Sequence, residues 1–468
     1  MLFEFLAYLT GLTVLAFVVI AWATHRDTLH PLICIGPILI FLYSFLPLYL
    51  SLTQREELRG YLDDRDLIYV ETLNGLGAIS LCLGILLGSP PAAKDRPPRR
   101  WLPSDRVRRR LARAAVVLGL IGLAAYAYML ANVGGFGGAY GRAYGGVWAD
   151  SGHIRDLQYL TVTALVLLLV ARTGGCPSHT DWVWILLFAG PWLIHGLLGA
   201  RRGPTFMIVV ALCAAWCFMR SRRPRLTTTT LGGLSLGLLL LFLVTHRDQI
   251  YLGSDFDFDF ERTSRTIAFD ARSGNEFVYG AGAILHADAT GAYWWGRRYA
   301  TVLFVRPIPR ALWPSKYDDV AAMLGTPTIR TNLGVGTDSF RETIGWTGAT
   351  GSAPGLVADM WIEFWWASLL VILCIGWCYG RAWSKALTHG GMWVTLYVSM
   401  FSLSAFLVMQ TLEAMIYRLL LLVVPGLFAW WYAGGLGAIK SVPDHRRLAM
   451  SGALALHAGR GDTRARPG

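Results

Sequence analysis

The chain has 468 residues, of which 54% are hydrophobic and only 15% charged. Soluble domains carry about 25% charged residues, so the composition excludes an ordinary soluble enzyme. It predicts a helical membrane protein, whose 19 tryptophans suit headgroup depth. The net charge of +12 would suit nucleic acid, but the basic residues cluster in short loops between apolar runs. That pattern fits the positive-inside rule and argues against such a partner.

A membrane span needs about 20 predominantly apolar residues. Eight candidate runs come first, over residues 3–24, 31–52, 67–88, 111–133, 156–172, 182–200, 204–219 and 228–245. A long mixed-charge segment, residues 245–355, follows. Three further runs complete the series, over 356–380, 392–410 and 415–432. The expected fold class is therefore an all-α polytopic membrane protein with about eleven transmembrane helices and one large extramembrane loop. It divides into a first bundle (1–244), the loop (245–355), a second bundle (356–433) and a basic Gly/Arg-rich tail (434–468) that is expected to be disordered. The fifth and seventh runs are short, which predicts tilt or partial re-entry. The first is too long for a cleavable signal peptide and lacks a basic leader.

Orientation follows from the loops. Lys94, Arg96, Arg99, Arg100, Arg106, Arg108, Arg109 and Arg110 place residues 89–110 in the cytoplasm. Counting outward puts the clusters at 220–225 and 381–385, and the tail after Lys440, on the same side. The N-terminus and the long loop then face the periplasm of a bacterium, across its inner membrane.

Six of the seven cysteines fall within apolar runs and Cys176 lies in a short loop. They read as small buried hydrophobes in preference to metal ligands, although Cys213/Cys217 and Cys374/Cys378 have helix-face spacing. Asp255, Asp257 and Asp259 alternate with Phe and read as an acidic interfacial stretch, not a metal motif. No P-loop or dinucleotide fingerprint is present, so neither a metal nor another cofactor is expected. Residues 134–146, rich in Gly and Tyr, read as an outer connector or a sugar-contacting loop.

The informative residues are charges in unfavourable places. Ionisable groups inside a span cost about 2.5–3.5 kcal/mol on insertion scales and usually face a partner or a cavity. Arg201 and Arg202 lie on the outer side between runs six and seven. His195 lies seven residues before Arg202, so two helical turns place them on one face. Arg247 and Asp248 follow run eight, Asp359 and Glu363 sit four apart in run nine, Glu413 precedes run eleven, and Arg418 lies in its first turns. Each has a plainer alternative. Arg201 and Arg202 would snorkel, Glu413 and Arg418 would form a local pair, His195 would be a bonded core residue, and Asp359 would cap its own helix. Their common depth predicts a shared polar cavity at the outer leaflet. Arginines hold phosphate bidentately, and carboxylates or a histidine serve as general base. The combination suits group transfer from a lipid-linked pyrophosphate.

The end of the long loop carries Asn275–Phe277, then Tyr293, Gly296 and Tyr299. Arg306-Pro-Ile-Pro-Arg310-Ala-Leu-Trp313-Pro-Ser-Lys316 comes next. A Gly/Ser/Thr-rich run at 347–355 leads into Asp359, Trp361 and Phe364, and the stretch closes at Gly376 and Gly380. With Gly199-Ala-Arg201-Arg202-Gly203 earlier, this resembles the bacterial oligosaccharide repeat-unit polymerases, the O-antigen or Wzy-type family. The likeness covers residues 193–381. Where the family often has Gly after the Phe of the ninth span, this chain has Trp365-Trp366, which argues against close packing there.

The resemblance implies a glycosyltransferase, related in fold to membrane-embedded glycosyltransferases, that polymerises undecaprenyl-pyrophosphate-linked repeat units on the periplasmic face. It implies a chain-length regulator and a flippase as partners. Arg201, Arg202, Arg247, Arg306, Arg310, Lys316 and Arg418 are the pyrophosphate-binding candidates. His195, Glu342, Asp359, Glu363 and Glu413 are candidates for the base. Residues 245–355 would cover the site, with Trp294, Trp295, Trp313 and Trp346 as sugar-stacking faces. The rival readings are an O-antigen-ligase-like transferase, a lipid-linked oligosaccharide transporter, and a structural or sensory subunit.

Overall fold

The structure is a computed structural model that describes residues 1–90, 102–142, 152–246, 249–254, 271, 275–324, 343–346 and 353–434. Every regular element among the described residues is helical. Nine of these helices are long and apolar enough to cross a bilayer, so the protein is a polytopic α-helical membrane protein. We number the principal helices α1 (Leu2–His25), α2 (Pro31–Thr53), α3 (Asp64–Gly88), α4 (Asp105–Asn132), α5 (Leu160–Ala171), α6 (His179–Leu197), α7 (Arg202–Arg220) and α8 (Leu226–Thr245). The later ones are α9 (Glu276–Thr290), α10 (Gly355–Phe364), α11 (Ser368–His389), α12 (Met392–Ser402), α13 (Ser404–Met409) and α14 (Leu412–Ala433).

Two predicted spans are not among the nine. One is α6, which holds Asp181, Pro191 and His195 within 19 residues. The other breaks at Leu403 into the short helices α12 and α13. The ninth predicted run is longer than expected. It covers Gly355–His389, 35 residues, and is interrupted at Trp365, whose φ is 52°. Helix starts follow capping chemistry. Ser104 caps α4, Ser178 and Asp181 form a capping box at α6, and Asn275 and Thr411 cap α9 and α14.

All twelve residues of α5 are buried, as expected of a helix that is apolar all round. It sits among α4, α6, α7, α12 and α14. On the other side of the molecule α3 and α11 run in close contact. Both carry two glycines four apart, which lets the backbones approach. A Cβ on Gly84 would lie 2.1 Å from the Leu373 carbonyl oxygen, and one on Gly376 would lie 2.3 Å from that of Leu81. The close packing doubted at Trp365-Trp366 is thus made one helix segment later. Gly376→Leu is expected to push α3 and α11 apart, at a cost on the order of 1–3 kcal/mol. A thermal unfolding midpoint in detergent equal to that of the unaltered protein would contradict this.

The two ends of the bundle differ chemically. At one end Asp27 pairs with Arg223 at 2.9 Å, His25 and His30 pack on Trp383, and Arg110 reaches the Tyr432 carbonyl. Among the described residues, this end gathers the basic residues of 106–110, 220–225 and 381–385. At the opposite end lie Glu4, Ser51 and the start of α3, together with the described parts of residues 245–355.

The described parts of that long segment are not a detached cover. Ten of the fifteen residues of α9 are buried, packed against α10 and α3. Trp346 is fully buried and donates its indole N–H to the Ala271 carbonyl at 3.1 Å. It therefore belongs to the core and offers no sugar-stacking face. Residues 135–140 of the predicted Gly/Tyr-rich connector form a short helix, with Tyr140 buried and bonded to Tyr126 at 3.0 Å.

Candidate functional site

The site is organised by the end of α10. Asp359 and Glu363 are one turn apart, so they share a face, and both are fully buried. Two buried carboxylates need a counter-charge, which the long segment supplies. Trp294 N donates to the Ile362 carbonyl at 3.0 Å and Trp295 N to that of Glu363 at 2.7 Å. Gly296 N donates to Glu363 Oε2 at 2.7 Å. This docking inserts Arg298, 2% exposed, between the acids. Its Nη2 lies 2.6 Å from Asp359 Oδ1 and its Nε 3.3 Å from Glu363 Oε1, with Glu413 at 3.9 Å. Burial works against the Arg298 charge, but Asp359, Tyr299, Glu363 and Glu413 outweigh it, so its pKa lies above the ordinary arginine value.

Asp359 accepts two further bonds, from the Tyr299 hydroxyl and from Leu412 N, each at 2.8 Å. Leu412 opens α14, so Asp359 caps a neighbouring helix and not its own, as an anion at a positive helix terminus. With three donors and no exposed surface it serves as a structural acceptor, which corrects its reading as a base. Glu363 is likewise enclosed, by Arg298 and the Gly296 amide. Glu413, in the first turn of α14, keeps an 18% exposed side chain.

From Glu413 a chain of polar contacts leads outward. Arg306 Nη1 lies 3.9 Å from Glu413 Oε1, and its guanidinium stacks over the Tyr417 ring at 3.8 Å. Tyr417 donates its hydroxyl to Asp156 at 2.5 Å, and Arg155 lies 3.9 Å from the same carboxylate. Arg418 donates to the Tyr159 hydroxyl at 2.9 Å and to the Ala414 carbonyl at 2.8 Å, with its guanidinium over Phe406 at 4.3 Å. The expected Glu413–Arg418 side-chain pair gives way to these bonds, although the Arg418 charge still acts on Glu413. The charges of Arg155 and Arg201 reach His195, whose ring stands edge-on to Tyr140 at 6.4 Å.

His195 and Arg202 do not share a helix face. α6 ends at Leu197, Ala200 has φ 47° and Arg201 is extended, so α7 starts anew at Arg202. Arg202 forms an ion pair with Glu276 in the first turn of α9. The next residue, Gly203, passes so close to Phe406 that a Cβ would lie 2.7 Å from the ring. This contact brings the start of α7 beside the ring that carries Arg418.

The structure thus joins Arg306, Glu413, Asp359 and Glu363 in one network about Arg298, with Arg418 following Glu413 in the first turns of the same helix. Arg310 stands apart, exposed, with Tyr317 5.7 Å from its guanidinium. Lys316 corrects its phosphate-binding reading. Its ammonium is buried against the carbonyls of Val305, Arg306 and Ile308, where it staples the chain after a π-helical turn at Thr301–Val305. Arg247 and Glu342 lie outside the described residues. Sequence reasoning missed Arg298, Asp156, Tyr159 and Tyr417, and it marked Tyr299 and Glu276 only as part of the resemblance, without a role at the site. For Arg298 a signal existed, because two carboxylates on one face of an apolar helix require a buried cation.

Two cavities in the molecule lie elsewhere. One is lined by Leu102, Gly174, Arg220 and Ser221 at the basic-loop end. The other is lined by Met1, Glu4, Ser51 and Arg55. Around Glu413 the described residues form a packed network with a partly exposed rim. Among them no three His, Cys, Asp or Glu side chains are placed to hold a metal; the acids of α10 and α14 converge on a guanidinium. No family model, no curated protein and no solved structure matches this chain.

Proposed function

We propose that the protein transfers glycan from a polyprenyl-pyrophosphate carrier and polymerises lipid-linked oligosaccharide repeat units into a surface polysaccharide. The observation that carries this reading is the arrangement of Arg306 and Arg418 about Glu413. These partly exposed guanidiniums are stacked on Tyr417 and Phe406 at the end of the bundle opposite the basic loops. Arg155 adjoins them through Asp156, the carboxylate that Tyr417 binds. Arginines held on aromatic faces beside the lipid phase suit a diphosphate whose tail stays in the bilayer.

In this reading an acceptor hydroxyl attacks the anomeric carbon of the donor glycan. The new glycosidic C–O bond forms as the bond to pyrophosphate breaks. Glu413 takes the hydroxyl proton, and the guanidiniums stabilise the departing diphosphate, which remains on its lipid. The Arg298 triad holds the start of α14, and with it Glu413 and Arg418, in position. The reading places the reaction on the periplasmic face of a bacterial inner membrane, with a flippase upstream and a chain-length regulator beside it. The test supplies purified protein with an undecaprenyl-pyrophosphate-linked repeat. A ladder of product lengths is expected; one transfer without a ladder would indicate ligase-like chemistry.

A further inference from the structure

Two tryptophans in the described residues adopt a backbone conformation that bulky side chains avoid. Trp295 has φ 49° and Trp365 has φ 52°, in the left-handed region where such residues are steric outliers. Both are nevertheless exposed, 57% and 45%, and Trp366 beside them is 46% exposed. Residues 293–296 are laid against the end of α10 by the Trp294–Ile362 and Trp295–Glu363 backbone bonds. The Tyr293 ring therefore lies 6.0 Å from that of Trp365, and Trp366 stands edge-on to Trp361 at 5.0 Å. The Tyr293 and Trp361 side chains, which the exposed Trp365 and Trp366 rings pack against, share a carboxylate. Asp288 accepts from the Tyr69 hydroxyl at 2.8 Å, the Tyr293 hydroxyl at 2.5 Å and the Trp361 indole at 2.9 Å.

Headgroup anchoring does not account for this construction. Anchors need no backbone strain, and helical tryptophans such as Trp377 and Trp431 expose their rings from ordinary helix positions. Strain retained at an exposed aromatic is a mark of function, held in place by over-determined surroundings. Here the Arg298–Asp359–Glu363 cluster and the Asp288 bonds provide those surroundings. Broad aromatic faces beside a carboxylate with all-neutral donors match a pyranose. The sugar's C–H face stacks on indole, and its hydroxyls donate to an anionic acceptor that has a lone-pair site left.

We propose that Trp295, Trp365 and Trp366, with Asp288 held by the adjoining Tyr293 and Trp361, form a binding platform for neutral pyranose units of a glycan chain. Resting on the glycan-transfer reading, this platform holds the polymer beside the arginine cluster.

The full chain in lipid nanodiscs, probed on an array of neutral hexose and N-acetylhexosamine oligosaccharides, tests it. At least one oligosaccharide is expected to bind, with affinity lowered tenfold or more by Trp295→Ala and by Trp365→Gly. Trp365→Gly should also raise the unfolding midpoint, because glycine relieves the positive φ. Trp431→Ala should leave binding unchanged. An array without a binder, or equal binding by both platform variants, would overturn the proposal. Transfer activity with unchanged sugar binding in the variants would sink the platform alone. Tryptophan-dependent binding without transfer from a lipid-linked donor would sink the transfer reading alone.

Discussion

Arg298→Met is expected to cost the folded protein on the order of 3–5 kcal/mol, the usual consequence of removing one partner from a buried ion pair. The mechanism is specific. Asp359 and Glu363 are fully enclosed, and without the guanidinium two carboxylates would face each other in an apolar surround. The damage should spread, because Asp359 also holds Tyr299 and the first amide of α14. Thermal unfolding in detergent micelles checks this. The midpoint should fall by several degrees, and Asp359→Asn combined with Glu363→Gln in the Arg298→Met background should recover part of the loss. A single variant that melts with the unaltered protein would show that the triad does not hold α10, α14 and the long segment together.

Arg418→Ala is expected to act on chemistry more than on folding. Donors aimed at developing negative charge are worth about 10²–10³ in rate when removed singly. Arg418 is partly exposed and its hydrogen-bond partners are neutral, the Tyr159 hydroxyl and the Ala414 carbonyl, while Glu413, on which its charge also acts, keeps Arg298 and Arg306. The loss of Arg418 therefore leaves no uncompensated buried carboxylate. Glycan transfer should fall by that factor while yield and melting stay near those of the unaltered protein. Arg418→Lys should recover only part, since an ammonium cannot form the planar two-point contact. Tyr159→Phe keeps the ring and deletes only the hydroxyl, so it should retain most activity. If Tyr159→Phe were as damaging as Arg418→Ala, positioning of α14 would be the role of Arg418.

The helical membrane architecture was legible because a bilayer leaves so few options. Every backbone polar group must be satisfied internally, so long apolar runs can hardly be anything but helices. Legibility failed where polar side chains decide the geometry. The run at 392–410 carries no charge, and the break at Leu403 is marked only by the flanking Ser402 and Ser404, whose hydroxyls donate to the Ser399 and Phe401 carbonyls. α6 reads as a span yet carries Asp181 and Pro191 along with His195. The positive-φ turn at Ala200 was also hidden, and the same-face expectation for His195 and Arg202 failed on it.

The site was half legible for a related reason. Charges inside apolar runs announce themselves by their cost, which is why Asp359, Glu363, Glu413 and Arg418 stood out. Their partners did not: the acids imply a buried cation, but Arg298, in a short helix at Arg297–Ala300 of the long segment, is one of many arginines there. Only the fold brings it to the acids. Lys316 shows the converse: a basic residue in a motif-like stretch, turned inward to three carbonyls. Tyr299, Tyr417 and Tyr159 carry no charge that a sequence scan would flag, yet each fixes a charged group through its hydroxyl or ring.

The most direct test combines purified protein, in nanodiscs free of other proteins, with one undecaprenyl-pyrophosphate-linked oligosaccharide. Products are resolved by length, and the released lipid diphosphate is counted. The account predicts a ladder of glycan lengths with one lipid diphosphate freed per added unit, both lost together in Arg306→Ala/Arg418→Ala. Intact donor after prolonged incubation with well-folded protein, or a ladder that survives the double replacement, would contradict it.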